Sequence, residues 1–128
     1  MNAVTAAANG LADGLTAAGL KTHGEIPEKA TAPFRYVLLA GVTTGQQFGS
    51  WQVQLRVVCV AKPGTNVVTA ERVMDLAIGV VNAIADLDGY EVAADAIDEP
   101  AEYQANGQAT LAAAVNVTAH LSRTQMKG

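Results

Sequence analysis

Apolar residues recur along the chain with two different periods, and each period predicts its own kind of element. Residues 2–18 carry small apolar side chains at three- and four-residue spacing, as one face of an amphipathic helix does. Gly19 follows where a C-terminal cap belongs. A second stripe of this kind begins after Thr69, a suitable N-cap residue, and continues to about Leu87. The sequence therefore predicts one helix at the N-terminus and another in the middle of the chain.

Strands are indicated by alternating apolar positions and by runs of β-branched residues. The clearest one is predicted from Trp51 to Ala61, where the first half alternates and the second half is apolar on both faces. Further strands are predicted at 34–41, 90–96 and 109–122, and a short edge strand at 20–23. The segments 42–50 and 98–108 are polar and contain Gly or Pro, so we expect both to be loops.

The order helix, hairpin, helix, hairpin predicts an α+β fold. We expect a mixed, mainly antiparallel sheet of four or five strands with two helices packed on one face. The 128 residues fit a single domain, with 123–128 as a loose polar tail. Half of the residues are hydrophobic but only 5% are aromatic, so the core should consist mainly of small side chains.

Charge and cysteine content narrow the classes of protein that fit. A net charge of −4 argues against a basic face that binds nucleic acid, because such binding needs Lys and Arg at the phosphates. The same net charge is compatible with a protein through which DNA passes without being bound. Cys59 is the single cysteine, which excludes an intrachain disulfide. No basic residue precedes Lys21 and no apolar run approaches ~18 residues, so we expect neither a signal peptide nor a membrane span.

The residues that most often carry chemistry are sparse and scattered. His23 and His120 have no Cys, Asp or Glu at metal-ligand spacing, and Cys59 lies in an apolar strand, where a small buried side chain is the simpler interpretation. The glycines at 41–49 lack the Lys-Ser or Lys-Thr ending of a phosphate-binding loop. We therefore expect a protein that is not an enzyme and that has no catalytic residue, no metal and no cofactor.

Acidic residues are concentrated after the second predicted helix, with no Lys or Arg among them. They are Asp86, Asp88, Glu91, Asp95, Asp98, Glu99 and Glu102. A solvated surface is the default interpretation of such a run, and the spacing is not that of an EF-hand calcium site. A third interpretation is a surface that repels a polyanion, which matters only if the protein surrounds one.

Several segments match one family of proteins in layout and composition. They are the small-residue helix at the N-terminus, Pro33–Leu39, Trp51–Val58, Thr69–Val73 and Ala114–Ala119. In these segments, and in the order of its elements, the chain resembles the tail terminator proteins of long-tailed, siphovirus-type bacteriophages. The resemblance covers nearly the whole chain, but it involves no invariant catalytic motif. Head-completion and connector proteins of the phage neck have a similar size and can share a related fold.

The resemblance implies a structural role in the virion. Such a protein forms a homohexameric ring that caps the tail tube, ends tube polymerisation and joins the tail to the head. Its partners would be further copies of itself, the tail tube protein and a head–tail connector or stopper protein. DNA would pass through the ring without specific binding, and the ring would assemble in the cytoplasm of the host bacterium. The alternatives are a head-side connector or head-completion protein of the same neck, or a small binding module or enzyme subunit outside phages.

Two sets of residues are candidates for contacts in such a ring. The first lies in the two predicted loops, where an aromatic side chain is a suitable interface anchor, and consists of Gln46, Gln47, Phe48, Glu102 and Tyr103. Packing of the two aromatic rings onto their own domain is the alternative. The second set would line the channel, because a wall of carboxylates repels DNA that a basic wall would bind, and consists of Asp88, Glu91 and Asp95. The alternative is that these acids lie on the outer surface or pair with basic residues of the next subunit.

Overall fold

The computed structural model describes residues 3–27, 32–44, 50–105 and 108–122. In this part of the chain, two helices and five strands form an α+β fold, as the sequence predicts. The elements are α1 (Ala3–Ala17), β1 (Phe34–Thr44), β2 (Ser50–Val60), α2 (Asn66–Ile84), β3 (Tyr90–Ile97), β4 (Ala101–Ala105) and β5 (Gln108–Ser122). Of the two helices, neither is long and apolar enough to cross a membrane.

The ends of the helices follow from local hydrogen bonding. After α1, Gly19 has a positive φ of 92°, and the N–H of Leu20 donates to the carbonyl of Leu15 at 2.9 Å, so the predicted glycine cap is confirmed. The prediction of Thr69 as the N-cap of α2 is wrong. Thr65 is the cap, and its hydroxyl accepts from the N–H of Val68 at 3.3 Å.

The sheet is antiparallel throughout its named strands, in the order β1-β2-β5-β3. β5 is central, and β3 and β4 share its outer side, one after the other. The predicted edge strand at 20–23 is reduced to one parallel bridge between His23 and Tyr36. The prediction of a loop over the whole of 98–108 is wrong, because Ala101–Ala105 forms β4 and pairs with the start of β5.

Both helices pack on the same face of the sheet, where they enclose a core of aliphatic side chains. Leu11 and Leu15 of α1 and Ile84 of α2 meet Leu55 and Val117 of the central strands, and each of these five is at most 1% exposed. The buried members of this cluster are Ala, Val, Leu, Ile and Cys residues, in agreement with the expected core of small side chains. Burial of one Leu or Val contributes roughly 1.5–3 kcal/mol, so many small contributions hold the helices on the sheet.

The aromatic side chains of Phe34, Tyr36 and Tyr103 lie on the opposite face of the sheet. The ring of Phe34 is 6.1 Å from that of Tyr36 and 6.2 Å from that of Tyr103, measured between ring centroids. In the strand register, Phe34, Val60 and Ala112 form one row across β1, β2 and β5. Because Val60 and Ala112 are small, the rings from the two sides of the sheet can meet above them.

Candidate functional site

The acidic candidates lie at the edge of the sheet formed by β3. Asp88 is in the turn between α2 and β3, and Glu91 and Asp95 are on β3 itself. All three residues are exposed. The chain therefore presents these carboxylates along one side of the domain, where they are accessible to solvent or to a neighbour.

Glu91 lies on the sheet face opposite the helices and is opposite Thr118 of β5. Its Oε1 is 3.4 Å from Nε2 of His120, and the two side chains are 67% and 45% exposed respectively. The contact becomes an ion pair when His120 is protonated, but an exposed pair of this kind contributes little to stability. The Glu91 carboxylate consequently remains available to act as a surface charge.

A register shift in β3 separates Asp95 from Glu91. Val92 is opposite Val117, and Ile97 is opposite Val115. A step of five residues along β3 therefore corresponds to a step of only two residues along β5. β3 is therefore irregular between Val92 and Ile97, the stretch that contains Asp95. The side chain of Asn116 holds the bulged segment, since its Nδ2 donates to the Asp95 carbonyl at 2.7 Å.

Tyr90 ties this edge of the sheet to α1. Its hydroxyl donates to the Ala7 carbonyl at 2.7 Å. Burial raises the pKa of this phenol, and the carboxylate of Asp13 raises it further. A Cβ at Gly10 would lie 2.7 Å from the Tyr90 hydroxyl oxygen, so a side chain at that position would displace the hydroxyl from its present place.

Of the five candidates for partner contact, the structure describes only Glu102 and Tyr103. Gln46, Gln47 and Phe48 lie outside the described residues. β1 extends to Thr44 and β2 begins at Ser50, so the connection between them is shorter than the predicted loop.

Glu102 and Tyr103 were expected in a loop, and this is wrong because both lie in β4. Tyr103 packs onto its own domain, edge to face against Phe34. Burial raises the pKa of the Tyr36 phenol, and a hydrogen bond with Tyr103 raises it further. The aromatic contact of Tyr103 is thus made within the chain, while Glu102 is exposed.

A small polar pocket, which the sequence gave no reason to expect, lies between the start of α2 and the β4–β5 hairpin. Its volume is about 180 Å³, and Thr69, Glu102 and Thr110 are among its lining residues. The Thr110 hydroxyl donates to the Ala61 carbonyl at 2.6 Å. The Thr69 hydroxyl is buried and has no hydrogen-bond partner among the described residues.

Part of the helix-facing side of the sheet is left uncovered at the outer end of β1. Leu39 and Val42 are opposite the fully buried Leu55 and Val53, yet they are 54% and 40% exposed. Ile26, which precedes β1 in the chain, is 55% exposed and lines the same groove as Leu39. We call Ile26, Leu39 and Val42 the open corner.

A groove of about 470 Å³ adjoins the open corner and separates β1 from the first half of α1. Its wall on the helix side includes Val4 and Ala8, and the exposed Glu25 also lines it. The sequence contained one signal for this surface, because Leu39 and Val42 continue the apolar run of β1 beyond the length that α1 covers. The predicted loop began at Val42, so exposure of this surface was not predicted.

The described residues contain no group of three or more His, Cys, Asp or Glu side chains that could hold a metal ion. Cys59 is fully buried in the core, and burial raises the pKa of its thiol to about 11.

The chain matches no protein-family model and no curated protein sequence.

Proposed function

We propose that this protein is a structural subunit that assembles with copies of itself into a ring at the neck of a long-tailed bacteriophage. In this role the ring caps the tail tube, stops its polymerisation and joins the tail to the head. The protein would then be located in the virion, after assembly in the host cytoplasm. The observation that carries the self-assembly is the open corner of the sheet.

The open corner favours association because its side chains belong to a face that is otherwise buried. Leu39 and Val42 point to the side on which α1 and α2 cover the rest of the sheet. Covering apolar surface removes it from water and so favours association, while the loss of translational and rotational freedom opposes it. Ile26 and Leu39 line one groove, and clustered exposed apolar side chains commonly mark a site of protein–protein contact.

The phage-specific part of the proposal is supported by where the resembling segments lie. Residues 34–39 and 51–58 are in β1 and β2, which pair with each other, and 114–119 is in β5, which pairs with β2. Of the segments that resemble tail terminators, those in the sheet thus lie on three neighbouring strands. A resemblance carried by neighbouring strands is more informative about the fold than one scattered over separate surfaces.

The arrangement of charge is consistent with DNA passing through the ring without being held. Asp88, Glu91 and Asp95 are exposed along the β3 side of the domain, and repetition around a ring would turn each into a circle of carboxylates. In a narrow channel with low-dielectric walls such a field acts more strongly than on an open surface. The tail tube protein and a head–tail connector would contact the two opposite faces of the ring.

The deciding experiment measures assembly and its effect on tube growth. The purified protein is analysed by light scattering coupled to size exclusion and by negative-stain electron microscopy, and then added to polymerising tail tube protein. We expect a ring of six copies and tubes whose growth stops when the ring binds. A protein that stays monomeric at all concentrations, or rings that leave tube growth unchanged, would contradict the proposal. Tail tube and tape measure genes beside its own would support it.

A second candidate is a head-side connector or head-completion protein of the same neck. The open corner favours it equally, since that surface indicates self-association and does not identify the next component. The tube experiment separates the two, because a head-side protein should form rings that bind the portal end of filled heads and leave tube growth unchanged. A small binding module outside phages would instead remain monomeric.

A further inference from the structure

The outer edge of β1 is only partly paired. Near its start, the N–H of His23 donates to the Arg35 carbonyl at 2.9 Å, and the N–H of Val37 donates to the His23 carbonyl at 3.0 Å. From Leu39 to Thr44, no strand in the described ranges pairs with this edge. An unpaired edge offers backbone donors and acceptors that an extended segment can use.

The unpaired part of the edge coincides with the groove and the open corner. Leu39 belongs to the edge and to both of these surfaces. An extended segment that pairs with β1 here would direct alternate side chains towards the groove between β1 and α1. The groove would take apolar side chains from such a segment, and the carboxylate of Glu25, which lines the groove, would favour basic ones.

Residues 123–128 of this chain have the matching chemistry. Their sequence is Arg123-Thr124-Gln125-Met126-Lys127-Gly128, with two basic residues, no acidic residue and one long apolar side chain. Met is flexible and fills irregular apolar gaps well. They follow Ser122, which is opposite Ser50 at the end of the sheet where β1 also ends.

The groove of the same copy is too far away for these residues to fill it. Ser122 and Leu39 are separated by two strand spacings and by five residues along the sheet, or about 20 Å. Six extended residues span about 20 Å, so only the last of them could arrive at Leu39. A neighbouring copy has no such constraint, because its orientation sets where its residues 123–128 leave the sheet.

We propose that residues 123–128 of a neighbouring copy add to the outer edge of β1, with Met126 in the groove and the basic residues near Glu25. This inference deepens the proposed ring and rests on it, since it names the contact that links one subunit to the next. The contact is head-to-tail, because a terminal segment of one copy meets the β1 edge of another. Such heterologous contacts close into rings when the rotation between subunits permits.

A cross-link between two variants, each with one added cysteine, tests this contact. Leu39→Cys and Met126→Cys are purified separately, mixed in equal amounts under conditions that allow subunit exchange, and mildly oxidised. Cys59 is retained, because it is fully buried with a pKa of about 11 and reacts slowly. We expect a disulfide-linked dimer with one chain of each variant, since a disulfide requires Cα atoms within about 7 Å.

The matched control is Ile78→Cys mixed with Met126→Cys. Ile78 is 48% exposed on α2, so its cysteine is about as accessible as one at position 39 but lies away from the groove. Equal cross-linking at both positions would overturn the proposal. So would a disulfide that forms only within one chain of the Leu39→Cys, Met126→Cys double variant.

Removal of residues 123–128 gives a second readout. We expect the truncated protein to keep its circular dichroism spectrum and to require at least tenfold higher concentration for assembly. Charge reversal at the groove with Glu25→Lys should weaken assembly, and Lys127→Glu in the same chain should restore it. Rings that form equally well without these residues would overturn this inference while leaving the proposed function intact. A wild-type protein that never assembles would overturn both.

Discussion

Cys59 shows how packing sets the chemistry of a single side chain. It lies in the middle of β2, faces the helices and is fully buried. Burial raises the pKa of its thiol from 9.0 to about 11, and the nearby Arg35 guanidinium opposes that rise only in part. A thiol with a raised pKa forms little thiolate at neutral pH, and the thiolate is the nucleophilic form.

The raised pKa of Cys59 predicts a loss of stability at alkaline pH. The folded-state pKa is above the ordinary value of 9.0. The stabilisation is therefore fully present below pH 9 and is lost as the pH rises through about 11. At one pKa unit per 1.36 kcal/mol, the loss approaches about 3 kcal/mol. Urea unfolding at pH 8 and pH 11 should show this loss in the wild type.

Cys59→Ala is the matched control for that measurement. It removes the thiol and leaves Tyr36 and Tyr90, the other groups whose pKa burial raises, in both proteins. The variant should be less stable at pH 8 because of the cavity it creates, but it should lose less stability on going to pH 11. Equal losses in the two proteins would show that the thiol does not cause the alkaline destabilisation.

Tyr103 shows that an aromatic residue in a polar segment is compatible with two opposite predictions, contact with a partner and packing on its own domain. An aromatic side chain between polar residues is a reasonable interface anchor, and it is equally suited to packing on its own domain. The sequence could not decide between them, because the choice depends on Phe34, almost 70 residues earlier in the chain. In the structure the rings of Tyr103 and Phe34 are 6.2 Å apart, so the intrachain contact is present.

At the scale of single elements, the start of α2 gives a matched pair of substitutions. Thr65→Ala removes the hydroxyl that accepts from the Val68 N–H and should cost about 1 kcal/mol of unfolding free energy. Thr69→Val replaces a buried hydroxyl that has no partner among the described residues, and it should be neutral or stabilising. Thermal unfolding of the two variants measures the difference. If Thr69→Val lowered the stability more than Thr65→Ala, Thr69 would be the N-cap residue and not Thr65.

Regular elements were predictable wherever the local pattern agreed with the tertiary environment. α1 was expected at 2–18 and spans Ala3–Ala17, and β2 was expected at 51–61 and spans Ser50–Val60. In both elements the apolar positions face the core that the pattern implied. The α+β class and the placement of both helices on one face followed from the same patterns.

Two features escaped prediction for different reasons. The sequence of β4 did contain a usable signal. Apolar and polar residues alternate over 101–105, and they precede Asn106-Gly107, a dipeptide typical of two-residue hairpins. The nearby acidic residues and Pro100 favoured the prediction of a loop instead. The register shift in β3 carried none, since it depends on hydrogen bonds from Asn116 to the Asp95 carbonyl and the Asp98 carboxylate. Contacts of this kind join distant residues and leave no local periodicity.

The open corner was missed for a related reason. Sequence shows that Leu39 and Val42 are apolar, but whether α1 reaches far enough to cover them is a property of the assembled domain. Exposure of these side chains therefore emerges only when the helix is placed on the sheet. Surfaces made by incomplete coverage are, for that reason, among the features least accessible to sequence patterns.

At the scale of the whole molecule, the acidic side of the domain predicts how an assembled ring should treat DNA. If Glu91 and Asp95 face the channel, the Glu91→Lys, Asp95→Lys double variant should still form rings, because both side chains are exposed. The introduced lysines would then bind phosphates, so the affinity of the ring for DNA should be higher than in the wild type. This added affinity should decrease steeply as the salt concentration increases. Particles carrying this variant should assemble but eject DNA poorly.

The control for that prediction makes the same charge change elsewhere on the domain. Glu71 and Asp75 are exposed on α2, away from β3, so Glu71→Lys with Asp75→Lys alters the net charge of each subunit identically. Binding of short duplex DNA to both assembled variants, measured across a salt series, separates a channel effect from a general electrostatic one. Stronger binding and impaired ejection confined to the Glu91, Asp95 pair would place these acids on the channel wall. An equal increase in both variants would mean that they lie on the outer surface, where they act only through net charge.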